Sequence, residues 1–419
     1  MIPKFRLVTL AFAAACMAAA GTAGGQAAHT KGAKWVGTWA SAQQEPEPHN
    51  AVPTGALHDS TLRQLVRTSV AGSQIRVRVS NAFGRTPLRI KGVNVALAAT
   101  PSSSRIATGT DRAATFSGAR QIAVPAGAEY VSDPIGMKVP ALTTLSISMH
   151  IAEHPAVQTG HPGSRATSYF ARGDQLSAPE LAGSTSVDHW YQLSGVDVVE
   201  RPARMAVAVL GDSITDGYGV KPNTNSRWPD FLAERLQASA TTRGIGVLNL
   251  GIGGNRVLQD GLGPNAAARF ERDVLGRSGV RYVIILVGVN DLGGLTRDAP
   301  VSAAAHEVLV AQMITASSQI VRRARERGIR VIGGTIMPYG GSAYYHPDEA
   351  NEADRQAVNA WLRKPGNVDA VIDFDRAMRD PARPHLLRKE YDSGDGLHPS
   401  IAGYRAMAAA VPLSLFERR

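Results

Sequence analysis

An apolar run, Met205 to Leu210, ends in Gly211-Asp212-Ser213 rather than in an ordinary polar turn. A serine hydroxyl in such a place either caps a helix or attacks a carbonyl carbon once a base takes its proton. The second use requires an imidazole and a group that orients it. Asp395-Gly-Leu-His398, in the loop YDSGDGLHPS, supplies both. Asp and His three apart on one turn can set the carboxylate against one ring nitrogen, fixing the tautomer and stabilising the imidazolium, while the other nitrogen faces Ser213.

Acyl transfer also calls for donors aimed at the oxygen on which negative charge develops. The stretch NLGIGGNRV offers the backbone N–H of Gly254, preferred over the adjacent Gly253 by its spacing to Asn255, and LVGVNDLG offers the side-chain amide of Asn290. With the N–H of Ser213, three donors come from three segments. Asp212 and Asp291 are expected to fix the turns around Ser213 and Asn290 by local hydrogen bonds. Trp228 is expected either in the core or lining the pocket. Residues 337–350, MPYGGSAYYHPDEA, read as a substrate loop carrying Tyr339 and Tyr344, or as a plain surface loop. His306, His346 and His385 lack a carboxylate at a comparable spacing, so no metal site is expected, and a serine nucleophile needs no cofactor.

These residues must be brought together by elements. Beyond about residue 200, apolar runs at 205–210, 246–250, 282–287, 330–335 and 370–374 alternate with helical stretches around 227–239, 302–327, 351–363 and 400–410. This pattern predicts a parallel sheet covered on both faces, with ligands outside the carboxyl ends of its strands. Ser213, Gly254 and Asn290 each follow one such run, and Asp395 and His398 fall between the last run and the last helix. From Lys34 to Arg201 the periodicity is two instead, as in Ile75-Arg-Val-Arg-Val79 and Leu145-Ser-Ile-Ser-Met149, which predicts an antiparallel β-sandwich. The chain thus divides into a sandwich at 34–201 and an α/β domain at 204–419. Residues 1–28 have the basic start, short apolar run and small-residue end of a secretory signal, so a secreted protein is expected. The sole cysteine, Cys16, lies inside that segment, which leaves no disulfide framework for the mature chain.

In order, Gly211-Asp-Ser-Ile214, Gly254, Gly288-Val-Asn-Asp291 and Asp395-Gly-Leu-His398 resemble the four blocks of the GDSL or SGNH hydrolases, over residues 204–415. The resemblance implies a three-layer, flavodoxin-like α/β fold. It also implies Ser213 as nucleophile, His398 as base, Asp395 as its partner, and Ser213, Gly254 and Asn290 as the oxyanion hole. The fourth letter of the first block is Ile214 rather than Leu, a conservative change. Thr215 stands where a G-x-S-x-G elbow would need glycine.

The sandwich-first layout, with KWVGTWASAQ near the expected mature start, is similar to secreted bacterial and fungal enzymes grouped as xylan esterases, and implies removal of acetyl groups from carbohydrate. Lipase, lysophospholipase or arylesterase action would use the same residues, as would acyl transfer to an acceptor other than water. A non-catalytic glycan-binding protein is the reading from another class. Trp35, Trp39 and Trp190 suit a sugar platform or, more simply, core packing. The expected partner is an ester substrate, acetylated polysaccharide first, without nucleic acid and without stable membrane insertion. Apolar residues at 44% and charged residues at 19% exclude general disorder. The net charge of +10 is scattered, and its densest cluster, Arg322, Arg323, Arg325 and Arg327, reads as a helix end rather than a nucleic-acid patch.

Overall fold

Period-two alternation between Gln74 and Ser80 sends Ile75, Val77 and Val79 to one face of a strand and Arg76 and Arg78 to the other. The computed structural model, which describes residues 34–199 and 205–417, buries the apolar face and pairs both arginines with Asp197 on the neighbouring strand. The expected signal segment, Cys16 and the join near 200–204 lie outside the described residues. One antiparallel sheet runs in the order Trp35–Ala40, Leu193–Val199, Gln74–Ser80, Glu129–Val131. The other centres on Ser60–Arg67, Thr144–Ile151 and Leu88–Leu97, with shorter strands at its edges. Both contribute to one apolar core that includes Leu62, Val77, Val93, Ile147 and Val196, as expected of a β-sandwich.

The second half holds a five-stranded parallel sheet in the order Gly246–Gly251, Ala206–Gly211, Val280–Leu286, Arg330–Gly334, Ala370–Ile372. The strand leading to Ser213 therefore lies between the strands leading to Gly254 and Asn290, at the point where the strand order reverses and a crevice opens. Its side chains alternate between two cores. Val207 and Val209 pack with Trp228, Leu232 and Ile284, whereas Ala206, Ala208 and Leu210 pack with Leu248, Phe270 and Ile320. Each fully buried Leu or Phe of this kind contributes about 1.5–3 kcal/mol. Helices Trp228–Ala238, Ala303–Glu326, Glu349–Arg363 and Ile401–Ala410 follow the periodic stretches of the sequence closely. Asn265, Ser302, Asp348 and Ser400 cap the starts of the helices they precede with their side chains.

The antiparallel strand Trp35–Ala40 reaches into the second half. Val36 and Ala40 share the core of Ala206 and Leu248, and the Gly37 N–H donates to the carbonyl of Ser278 at 2.9 Å. The Ser278 hydroxyl accepts from Arg76 and Arg78 and donates to Asp197, and Arg277 pairs with Glu129 at 3.2 Å. Trp39 and Trp190 meet edge to face in the sandwich core, 6% and 2% exposed, and Arg76 lies over the Trp35 ring. Packing, not a sugar platform, is the use the structure gives Trp39 and Trp190, while Trp35 is half-buried beneath Arg76. No helix among the described residues is long and apolar enough to cross a membrane.

Candidate active site

Ser213 is the first residue of a single helical turn, Ser213–Asp216, which Asp212 caps by accepting from the Ile214 N–H. The turn ends at Gly217 in the left-handed conformation, and the N–H groups of Gly217 and Tyr218 both return to the Ser213 carbonyl. This short element fixes the serine at the end of its strand. Its Oγ lies 2.9 Å from His398 Nε2.

His398 comes from the loop ahead of the last helix. Its Nδ1 is 2.6 Å from Asp395 Oδ2, while Asp395 Oδ1 accepts from the backbone N–H groups of Leu397 and His398. Gly396 makes the turn possible: its φ is +70°, and a Cβ there would stand 2.2 Å from the backbone of Gly341. Asp392 braces the same loop by accepting from Gly394 and Gly396. Burial tends to raise the Asp395 pKa, but the hydrogen bonds from His398 and Leu397 outweigh it and hold the carboxyl below its ordinary value. Burial also pushes His398 down from 6.5, against the pull of Asp395 and with that of Arg165. The shift favours the neutral imidazole, the form that can accept a proton. Tyr218 stacks on it, ring centroids 4.0 Å apart.

Gly254 sits beyond its strand with φ +65°, and neither its N–H nor that of Ser213 has a hydrogen-bond partner among the described residues. The Asn290 amide donates to the Asn255 carbonyl at 2.8 Å, and its oxygen accepts from the Tyr345 hydroxyl at 2.6 Å. Two bonds thereby fix which way the amide faces and leave one N–H of its NH2 group available. Tyr345 was not singled out by sequence, although its neighbour Tyr344 was; a tyrosine's partner two segments away has no local signature.

The two aspartates differ from one another. Asp212 caps locally, as expected, and burial raises its pKa to about 7. Asp291 does not serve its own turn: its carboxylate accepts from Val257 and Leu258, tying the Asn290 segment to the Gly254 segment, and burial raises it to about 6. Beneath them Arg269, fully buried, donates to the carbonyls of Gly211 and Leu250 and to Asn255 Oδ1, and pairs with Asp273 at 3.0 Å. One guanidinium therefore clamps two strand ends and the Gly254 loop.

Of the remaining candidates, Trp228 and Tyr339 fall in the core, while Tyr344 lies on the exposed rim against Tyr345. Trp228 is completely buried against Phe374, with its indole N–H directed at Thr215, so it packs beneath the serine turn and lines nothing. Tyr339 is 1% exposed and also a core residue. Tyr344 is exposed and accepts from Arg297. His306 does have a carboxylate: Asp354, from a separate helix, lies 2.5 Å from its Nδ1, a pair that sequence spacing hides. His161 has one too, and it bears directly on the site: its Nε2 reaches Asp216 in the serine turn at 2.9 Å, from the antiparallel half of the chain.

Residues 209–406 match the model of the GDSL-like lipase/acylhydrolase family. No curated protein matches the chain significantly. Among solved structures it is similar to Axe2, an acetylxylan esterase from Geobacillus stearothermophilus, at 24% identity and TM-score 0.38 over 49% of this chain and 91% of that one. The acetyl xylan esterase AlAXEase aligns at 22% identity and TM-score 0.38 over 49% and 97% of the respective chains. A lipase/acylhydrolase from Enterococcus faecalis aligns at 23% and 0.35 over 49% and 92%.

Proposed function

We propose that this chain, a serine ester hydrolase whose residues 209–406 are a GDSL-like lipase/acylhydrolase domain, removes small acyl groups, acetyl first, from carbohydrate. The observation that carries the chemistry is the unbroken contact from Ser213 Oγ to His398 Nε2 and from His398 Nδ1 to Asp395. Ser213 attacks the ester carbonyl as its proton passes to His398, whose positive charge Asp395 stabilises. The negative oxygen meets the N–H groups of Ser213 and Gly254 and the amide of Asn290. His398 then returns the proton to the departing alcohol, leaving an acyl-serine. Water, deprotonated by His398, attacks that ester in turn, and the acid leaves.

The carbohydrate reading rests on the rim. Among the described residues, the exposed large apolar side chains that touch site residues are Tyr218 over His398, Leu262 beside Gly254, and Tyr344 against Tyr345. Two of the three are tyrosines, whose apolar ring and polar tip suit a sugar ring better than a long acyl chain. On this reading the sandwich at 34–201 and the catalytic domain at 204–419 act in one mature protein, secreted after removal of residues 1–28.

Hydrolysis of p-nitrophenyl esters from acetyl to palmitoyl, with Ser213→Ala as control, tests the proposal. Activity that peaks at acetyl, vanishes in the variant and extends to acetylated xylan or a related acetylated glycan supports it. A peak at eight carbons or beyond moves the substrate to lipid esters, and no difference from Ser213→Ala at any length removes the catalytic assignment.

A further inference from the structure

The loop that carries His161 also brings a cation to the site. Between Gly160 and Ser168 it is stitched to the segment after Ser213 at several points. His161 meets Asp216, the Ser164 carbonyl accepts from Arg227, the Arg165 carbonyl accepts from the Asn223 N–H, and the Asn223 side chain bonds both the N–H and the hydroxyl of Thr167. Gly163 passes so close that a Cβ there would lie 1.8 Å from Asp216 Oδ2. Arg165 itself holds φ +50°, a left-handed conformation that non-glycine residues adopt at a cost and that persists only where the surroundings enforce it.

The side chain so placed is half-buried over the Tyr218 ring, 6.0 Å from its centroid, and Tyr218 in turn stacks on His398. The buried Nε of Arg165 has no hydrogen-bond partner, and no carboxylate lies within ion-pair distance of its guanidinium among the described residues. The fully buried arginines among the described residues are different: Arg63 is bonded to carbonyls and a serine, Arg269 to Asp273, and Arg355 to Asp375 and Glu352. An uncompensated cation here has a further cost. It acts against the charge that His398 must take up during acylation, whereas Asp395 and Asp392 act for it. Both costs disappear when the substrate supplies an anion. The position says which part of the substrate: His398 delivers its proton to the leaving oxygen, so a group beside His398 faces the alcohol and not the acyl chain.

We infer that Arg165 is a specificity-determining residue contributed by the β-sandwich half, and that the preferred ester carries a carboxylate on its alcohol part. The inference rests on the serine esterase reading above, and on its carbohydrate version the alcohol is an acidic glycan, such as one built of uronic acid units. The excess of basic over acidic residues, 45 against 35, would draw such a polymer toward the protein.

The test compares kcat/KM for 3-carboxyphenyl acetate and phenyl acetate, two esters of similar leaving-group acidity, on the full-length protein. The expected ratio favours the carboxylated ester about tenfold at low salt, the worth of one charge-assisted hydrogen bond, and shrinks in 0.5 M NaCl. Arg165→Gln brings the ratio to about one through KM, and Arg165→Lys restores most of it. Acetylated polygalacturonan should likewise outrun acetylated xylan. A ratio that Arg165→Gln leaves intact overturns the inference, and so does a wild-type ratio near or below one, which needs no variant to fold. Phenyl acetate turnover that is absent, or unaffected by Ser213→Ala, instead overturns the underlying esterase reading.

Discussion

Asp395 serves His398 twice with one carboxylate, once at the ring through Oδ2 and once at the backbone through Oδ1. Asp395→Asn should keep the loop folded, since an amide oxygen can still accept the backbone bonds, while losing the charge that stabilises the imidazolium. The expected result is a kcat lower by about 10³-fold or more with KM little changed. Because His398 must be neutral to act and burial lowers its pKa, the rise of kcat/KM with pH should be centred below 6.5. A rise centred above 7 in a pH–rate profile would contradict the site described here. Tyr345 tests the oxyanion donor in the same way: Tyr345→Phe leaves the Asn290 oxygen unpaired and frees the amide to turn, so kcat should fall about tenfold while KM holds. A change in KM alone would place Tyr345 in substrate binding instead.

At the scale of elements, the strands that end at Gly211 and Gly251 are held in mutual position by Arg269, which bonds the carbonyls of Gly211 and Leu250. Its partner Asp273 lies on the π-helical turn Glu271–Leu275, one turn further on, and both side chains are fully buried. Removing one partner leaves a charge without compensation in the interior. Asp273→Asn should therefore cost about 3–5 kcal/mol, seen as a large fall in Tm and in the denaturation midpoint. Arg272 and Arg277 also face Asp273, so its loss leaves three guanidiniums without their shared anion, and a Tm within a degree or two of the parent would contradict this account. The helix Trp228–Ala238 works from the other face, where Trp228 supports the serine turn through Thr215. Trp228 lines no pocket because its ring is fully buried against Phe374, with its indole N–H spent on Thr215.

Across the whole molecule, the two halves share a core and a polar network rather than meeting across a tether. Val36 and Ala40 complete the packing on Ala206 and Leu248, Ser278 joins Arg76, Arg78 and Asp197, and His161 holds Asp216. Deleting residues 34–199 would expose the apolar face around Leu248 and strand the Asp216 carboxylate in a half-built site. The remaining segment should be insoluble or molten, with little near-ultraviolet circular dichroism and no ester turnover. A folded, fully active 205–419 fragment would show that the sandwich is a separable accessory.

Much of this was legible in the letters because each reading depended on neighbours in sequence. Alternation separated the two kinds of sheet, apolar run length marked the parallel strands, and Asp395 and His398 lie on one turn, so their spacing alone nearly dictates their contact. The order of blocks then located Ser213, Gly254 and Asn290 at three strand ends. What lay beyond reach were pairings of residues far apart in the chain: Tyr345 on Asn290, Arg269 under Gly211, Asp354 on His306, His161 on Asp216 and Arg165 over Tyr218. Histidines without a nearby carboxylate in sequence acquired one in space, and Trp39 and Trp190, two of the tryptophans that suited a sugar platform, went into the core. Local pattern sets the elements and the residues at their ends; which side chains meet across elements depends on register and packing between them, and only the folded chain decides that.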